Sequence, residues 1–306
     1  MELQQIVYYI GSVQQGLLYA VMAMGIYITF RILNIPDLTV DGSFTLGMAI
    51  TAVITISGHP FLALLVATVF GALAGLVTGF LQTKVGIHPI LAGILVMTGL
   101  YTVNLAIMGG KSNLSLAGKD TIFVRMEALL PSKISAGKTV VTLIACIIVL
   151  ILLAVFFKTR LGLAIRATGD NEEMVRSSSI NAKVMKCIGL ALGNACVALT
   201  GALICQHQMF SDVSFGSGMV VIGLACVIIG ETIFGHRSVT IGLISAILGS
   251  IIYRIIIAVA LKYNFFPAYA LKLLSAVIVA IALAIPTISA GLKQNRIRRE
   301  AKNHLR

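Results

Sequence analysis

Charge is scarce in this chain: of 306 residues only 11% are Asp, Glu, Lys or Arg, against roughly a quarter in a soluble domain. Tryptophan is absent and there are only six prolines. The five cysteines, Cys146, Cys187, Cys196, Cys205 and Cys226, form no CxxC pair and all fall in apolar runs. They read as small buried hydrophobes rather than disulfides or metal ligands. No GxxxxGK[ST] phosphate loop, HExxH or GxSxG occurs, which excludes nucleotide hydrolysis on a Walker-type loop and two large classes of hydrolase. No cluster of catalytic groups converges, so no enzymatic activity and no metal are expected. The start, Met1-Glu2-Leu3-Gln4-Gln5, lacks the basic region of a cleavable signal, and the first apolar stretch reads as a permanent span.

What is abundant is apolar surface. Hydrophobic residues make up 58% of the chain and mean hydropathy is +1.00. They come in blocks of about 20, the length that crosses ~30 Å of hydrocarbon as helix. In lipid the backbone must satisfy its own polar groups, so such blocks are helical; the alternation of a membrane barrel is missing. The sequence therefore predicts an all-α fold, a polytopic transmembrane helical bundle of about nine spans. These lie near 8–30, 43–57, 60–82, 88–108, 138–157, 184–208, 218–233, 239–261 and 268–290, the second and seventh being short. No linker divides the chain, so 1–306 is expected to be one membrane domain. Gly71, Gly75 and Gly79 form a small-xxx-small face for close helix contact, read as packing within one subunit ahead of a dimer seam.

The net charge of +12 does not point to nucleic acid, because the bases lie at membrane edges and in one tail, without interleaved aromatics. They set an orientation instead. Residues 158–186 and the tail 291–306 are strongly basic, and placing both in the cytoplasm puts 15 of the 23 Lys and Arg on that side. The loop 109–137 opposes this with a few bases of its own. The expected location is the bacterial cytoplasmic membrane, multi-pass, with the C-terminus cytoplasmic.

Three stretches carry mechanism. In Asn34-Ile-Pro36-Asp37-Leu-Thr39-Val-Asp41-Gly42-Ser43, Pro36 and Gly42 interrupt helix between two spans. Either this is a pathway-lining or gating element with Asn34, Asp37, Thr39, Asp41 and Ser43 turned inward, or it is a tight turn with two capping aspartates. The second stretch runs from Ser211 through Ser214 and Gly218 to Glu231 and Arg237. Glu231, at the end of a short apolar span, needs a partner, and Arg237 is a candidate. The third is 158–183, where Gly169 can end one helix and Asp170 can N-cap the next, with Glu172 and Glu173 in its first turn. Such a helix fits a segment that receives force from an engine subunit, or simply a solvated loop helix. Arg254 and Lys272 are expected to snorkel or to attract an anionic ligand group. His88 and His207 read as interfacial, and Phe123–Leu130 as an amphipathic piece.

Together "NIPDLTVDGSF", "RATGDNEEMVRSSSIN" and "GMVVIGLACVIIGE" resemble the permease subunits of bacterial ABC importers for branched-chain amino acids, ribose and related substrates. The likeness extends over nearly the whole chain. Within that family they look like a subgroup associated with aromatic amino acids, notably tryptophan. The resemblance implies that Gly169, Asp170, Asn171, Glu172, Glu173, Met174 and Arg176 form a coupling helix seated on an ABC ATPase subunit. It implies a second permease copy, in a homodimer within membrane lipid, and an extracellular or periplasmic solute-binding lipoprotein. ATP and Mg would then sit on the ATPase, with no cofactor on this chain. Two other readings stay open: a sugar or nucleoside importer of the same family, and a self-sufficient ion-coupled transporter using Asp37, Asp41 or Glu231.

Overall fold

The computed structural model describes residues 2–130, 136–235 and 237–262, together with helical positions 273, 276–280 and 284. Most of the expected ninth span, Lys272 and the basic tail 291–306 lie outside the described residues.

Each of the first eight expected spans is a helix. They are α1 (Glu2–Ile26), α2 (Thr39–Ile56), α3 (Pro60–Phe80), α4 (Pro89–Ile107), α6 (Ala136–Phe156), α9 (Ala182–Gln208), α10 (Met219–Phe234) and α11 (Val239–Lys262). Seven of these are long and apolar enough to cross a bilayer. The eighth, α10, has 16 residues, about 24 Å at 1.5 Å per residue, which is short of the hydrocarbon thickness. Between the spans lie the amphipathic α5 (Ile122–Leu129) and the short α7 (Arg160–Asp170) and α8 (Glu172–Ser177). A two-stranded ribbon pairs β1 (Asn113–Ser115) antiparallel with β2 (Phe210–Asp212). The ribbon marks one end of the bundle and α7–α8 the other.

The helix α9 runs the full height between those ends and packs on α1, α2 and α3. Its 27 residues make it about 40 Å long. The glycine face of α3 lies against it. A side chain at Gly75 would overlap the Leu190 carbonyl, one at Gly71 would meet Ala198, and one at Gly79 would meet Cys187. The face thus serves packing inside one subunit. With lipid tails as apolar as the side chains, such close backbone approach supplies the dispersion contact that holds membrane helices together.

The first span does not end as a regular helix. Over Tyr27–Ile32 it widens into a π-helical turn, and Ile35 N–H then bonds Thr29 C=O at 2.9 Å. Pro36, lacking a donor, closes that ladder. Helix resumes at Thr39, so Thr39, Asp41 and Ser43 belong to the first turns of α2 and not to the connection. A similar π turn, Leu81–Val85, ends the third span.

Candidate functional site

The break at 33–38 lies within the bundle. Leu33 packs where a side chain at Gly189 of α9 would stand, and Leu38 does the same at Gly93 of α4. Irregular backbone at such a place survives because protein covers it. Asp37, 6% exposed, accepts the Thr39 N–H at 2.9 Å and an N–H of the Asn194 amide at 2.6 Å. Thr39 in turn shares a hydrogen bond with Thr78 of α3 at 2.7 Å. One polar knot thereby ties the start of α2 to the middle of α9 and to α3. Asn194 was not singled out from sequence, yet an Asn inside the apolar run Leu192–Leu199 was a readable signal.

Asp41 does different work. Its two carboxylate oxygens accept the backbone N–H groups of Gly218 and Val220, each at 2.9 Å. These are donors at the start of α10, which no intrahelical acceptor can satisfy. The carboxylate is therefore a cap supplied from another helix, and its charge suits the positive end of the α10 dipole. The segment from β2 to α10 is held down beside it: Phe215 stacks on Phe44, and Phe44 on Tyr19, at ring separations of 6.1 and 6.5 Å. A cavity of about 420 Å³ opens between this segment, α2 and α4, lined by Asp41, Thr45, Tyr101, Asn104, Ser214 and Ser217. Of the expected pathway residues, Asp41 and Ser214 share this cavity. Ser43 is buried, and its hydroxyl finds no hydrogen-bond partner among the described residues. Asp212 accepts from both the N–H and the hydroxyl of Ser214.

At the other end Glu231 pairs with Arg31, Nε to Oε1 at 3.0 Å. This replaces the candidate partner Arg237: α10 runs beside the foot of α1, which brings Arg31 to it across 200 positions of sequence. Arg254 has its guanidinium carbon 3.7 Å from the centre of the Tyr19 ring, a cation–π contact that neither of the expected roles includes. His207 packs edge-on against Phe123 of α5.

The 169–177 region is the third element. Helix continues through Gly169 to Asp170, and the residue that caps α8 is Asn171, whose Oδ1 accepts the Met174 N–H at 3.0 Å. The expected cap, Asp170, is the last residue of α7, because that helix continues one residue past Gly169 and moves the boundary by one position. Glu172 turns back to Arg176, at 2.7 Å, and to Lys186 at the start of α9. The Lys186 hydrogen bond holds its carboxyl below the usual range, against a smaller opposing effect of burial. Glu173 and Met174 face outward, Met174 with 55% of its surface exposed. A methyl group at Gly169 would overlap the Ile32 carbonyl oxygen, and Asn34, in the left-handed region at φ 53°, donates its amide N–H to the Gly169 carbonyl at 3.3 Å. So α7 rests directly on the break in α1–α2.

A model of the family described as the branched-chain amino acid transport system permease component matches residues 8–282. The chain belongs to that permease family. A tyrosine transport system permease protein of Clostridioides difficile (strain R20291) is 38% identical to it over 286 residues, 93% of each chain. An uncharacterised protein of Rickettsia prowazekii (strain Madrid E) is 36% identical over 74% of this chain and 77% of its own length. The ribose import permease protein RbsC of Escherichia coli (strain K12) is 27% identical, with 72% and 67% covered. No solved structure matches. The permease is thus a multi-pass membrane component of ABC-type transport and not an enzyme.

Proposed function

We propose that this permease is the pathway-forming subunit of an ATP-driven importer. It works as two copies in the cytoplasmic membrane with α7–α8 and the C-terminal tail on the cytoplasmic side. Residues 169–176 take up the motion of a separate ATPase chain, which holds ATP and Mg. The observation that carries this reading is the seat of Gly169 on the Ile32 carbonyl with Asn34 bonded to it. Any displacement of α7–α8 must move the α1–α2 break, and with it the Asp37–Asn194 knot. Asp41 and Ser214, at the α10 entry, then line the pathway on the opposite side of the bundle, and Glu231–Arg31 closes its foot.

The solute is an amino acid, with an aromatic one favoured, delivered by an external binding lipoprotein. Its support is the tyrosine permease of Clostridioides difficile, which is closer in sequence than the ribose permease. Specificity in this arrangement lies mainly with the lipoprotein, so ligand-induced stabilisation of that protein identifies the solute.

The coupling reading is tested by co-expression with a candidate ABC ATPase subunit from the same organism. The pair should purify as a stable complex with ATPase activity, while the permease alone shows none. Glu173→Arg combined with Met174→Asp changes two outward side chains and should dissolve the complex while leaving the permease's own thermal stability unchanged. A complex that survives both changes intact refutes the assignment of 169–176.

A further inference from the structure

One cavity at the α7–α8 end is left unused by that reading. Between the foot of α1, the end of α7 and the turn from α10 to α11 lies a polar space of about 300 Å³, lined by Tyr27, Arg31, Asn34, Arg166, Asp170 and Arg237. Three guanidinium groups reach it from three separate elements. Arg31 is held by Glu231. Among the described residues neither Arg166 nor Arg237 forms an ion pair with a carboxylate. Among the described residues, the charges lining the cavity or paired with its lining are Arg31, Arg166 and Arg237 against Asp170 and Glu231, a surplus of one positive charge. Tyr27 and Asn34 add neutral polar groups. Arg166 is half-buried, so it has given up part of its hydration without an ionic partner among the described residues. The planar guanidinium fork matches the paired oxygens of a carboxylate or a phosphate.

We propose that this cavity binds one oxyanion, a carboxylate or a phosphate group, held between Arg166 and Arg237. Its effect is mechanical. Arg166 belongs to α7, which rests on the break, and Arg237 belongs to the turn that leads into α11. A bound anion bridges the two and fixes α7 against the foot of the bundle. The site is a property of the isolated permease and stands whether or not 169–176 meets an ATPase.

The test uses the full chain in nanodiscs of neutral phosphatidylcholine, at constant ionic strength balanced with chloride. Inorganic phosphate and, separately, acetate are titrated while Tm is recorded. A ligand that binds only the folded state raises Tm saturably. We expect such a rise with one of the two anions in the wild type. In Arg166→Gln and Arg237→Gln the half-effect concentration should increase about tenfold or more, as expected from loss of a charge-assisted pair. In Arg160→Gln, an exposed arginine of the same helix, it should not change. If the neutral nanodiscs give no response but phosphatidylglycerol nanodiscs raise Tm, and R166Q removes that rise, the oxyanion is a lipid headgroup. Wild-type protein indifferent to phosphate, acetate and anionic lipid alike overturns the proposal. So does a saturable response that the two glutamine variants retain in full. Should those variants fold poorly, the wild-type titration still decides. Arg166→Lys, which keeps charge but loses the fork, should then weaken binding without abolishing folding.

Discussion

The cap that Asp41 provides for α10 allows a worked prediction. Both carboxylate oxygens are used, one on Gly218 N–H and one on Val220 N–H. A hydrogen bond to a charged group contributes about 1.5–3 kcal/mol, and loss of a side-chain cap costs about 0.5–2 kcal/mol. The two bonds share one carboxylate and do not add fully. Asp41→Asn keeps one acceptor oxygen and loses the charge, so about 2 kcal/mol is expected. Asp41→Ala leaves both donors without their acceptor, for about 3 kcal/mol. The loss falls on the first turn of α10, which borders the 420 Å³ cavity and can open locally. At 1.4 kcal/mol per factor of ten, amide exchange at 218–222 should quicken about 30-fold in Asp41→Asn and about 150-fold in Asp41→Ala. The assay is hydrogen–deuterium exchange by mass spectrometry in nanodiscs, with the distal turn at 228–232 as internal reference. Unchanged protection at 218–222, or a change spread evenly over α10, refutes the capping argument.

Three further outcomes follow from the packing and the charges. Asn194→Leu deprives the buried Asp37 carboxylate of its 2.6 Å donor and should destabilise the permease by about 2–4 kcal/mol, read as a fall in Tm; an unchanged Tm would show that water serves Asp37 equally well. Gly75→Leu drives a side chain into the Leu190 backbone and should abolish folded protein in fluorescence size exclusion, whereas Gly99→Leu, with open space around it, should not. Because Glu172 has its pKa lowered in the folded state, chiefly by Lys186, its contribution is present above the unfolded carboxylate pKa and is lost as pH falls through the depressed folded value. Proteolytic protection of 170–180 should therefore persist at pH 5 and fail only in more acidic solution, and Lys186→Met should move that failure to higher pH; identical acid profiles for the two proteins would count against the pair.

Apolar block length was enough to place eight helices within a few residues, because the hydrocarbon thickness imposes one length on every span. It also marked the 34–43 stretch, since Pro36 and a group of polar residues stand there against a strongly apolar background. Partners were another matter. Arg31 for Glu231, Asn194 for Asp37 and the α10 N–H groups for Asp41 are separated by about 160 to 200 positions, and nothing local in either segment records the meeting. The boundary between α7 and α8 was missed for a different reason: Gly169 suggested a helix end, but the glycine is there to let α7 touch Ile32. Its small size answers a tertiary need and not a local one.

The long α9 contains neither proline nor a π turn, unlike the first span with its widened turn and its break. It starts five residues after α8 and finishes beside β2, so under the proposed coupling it would act as a single stiff lever driven from the α7–α8 end. Pivoting it by about 5° sweeps the far tip through about 3.5 Å over a 40 Å arm, roughly the width of one extended residue. The jointed first span alongside it can hinge while α9 tilts whole.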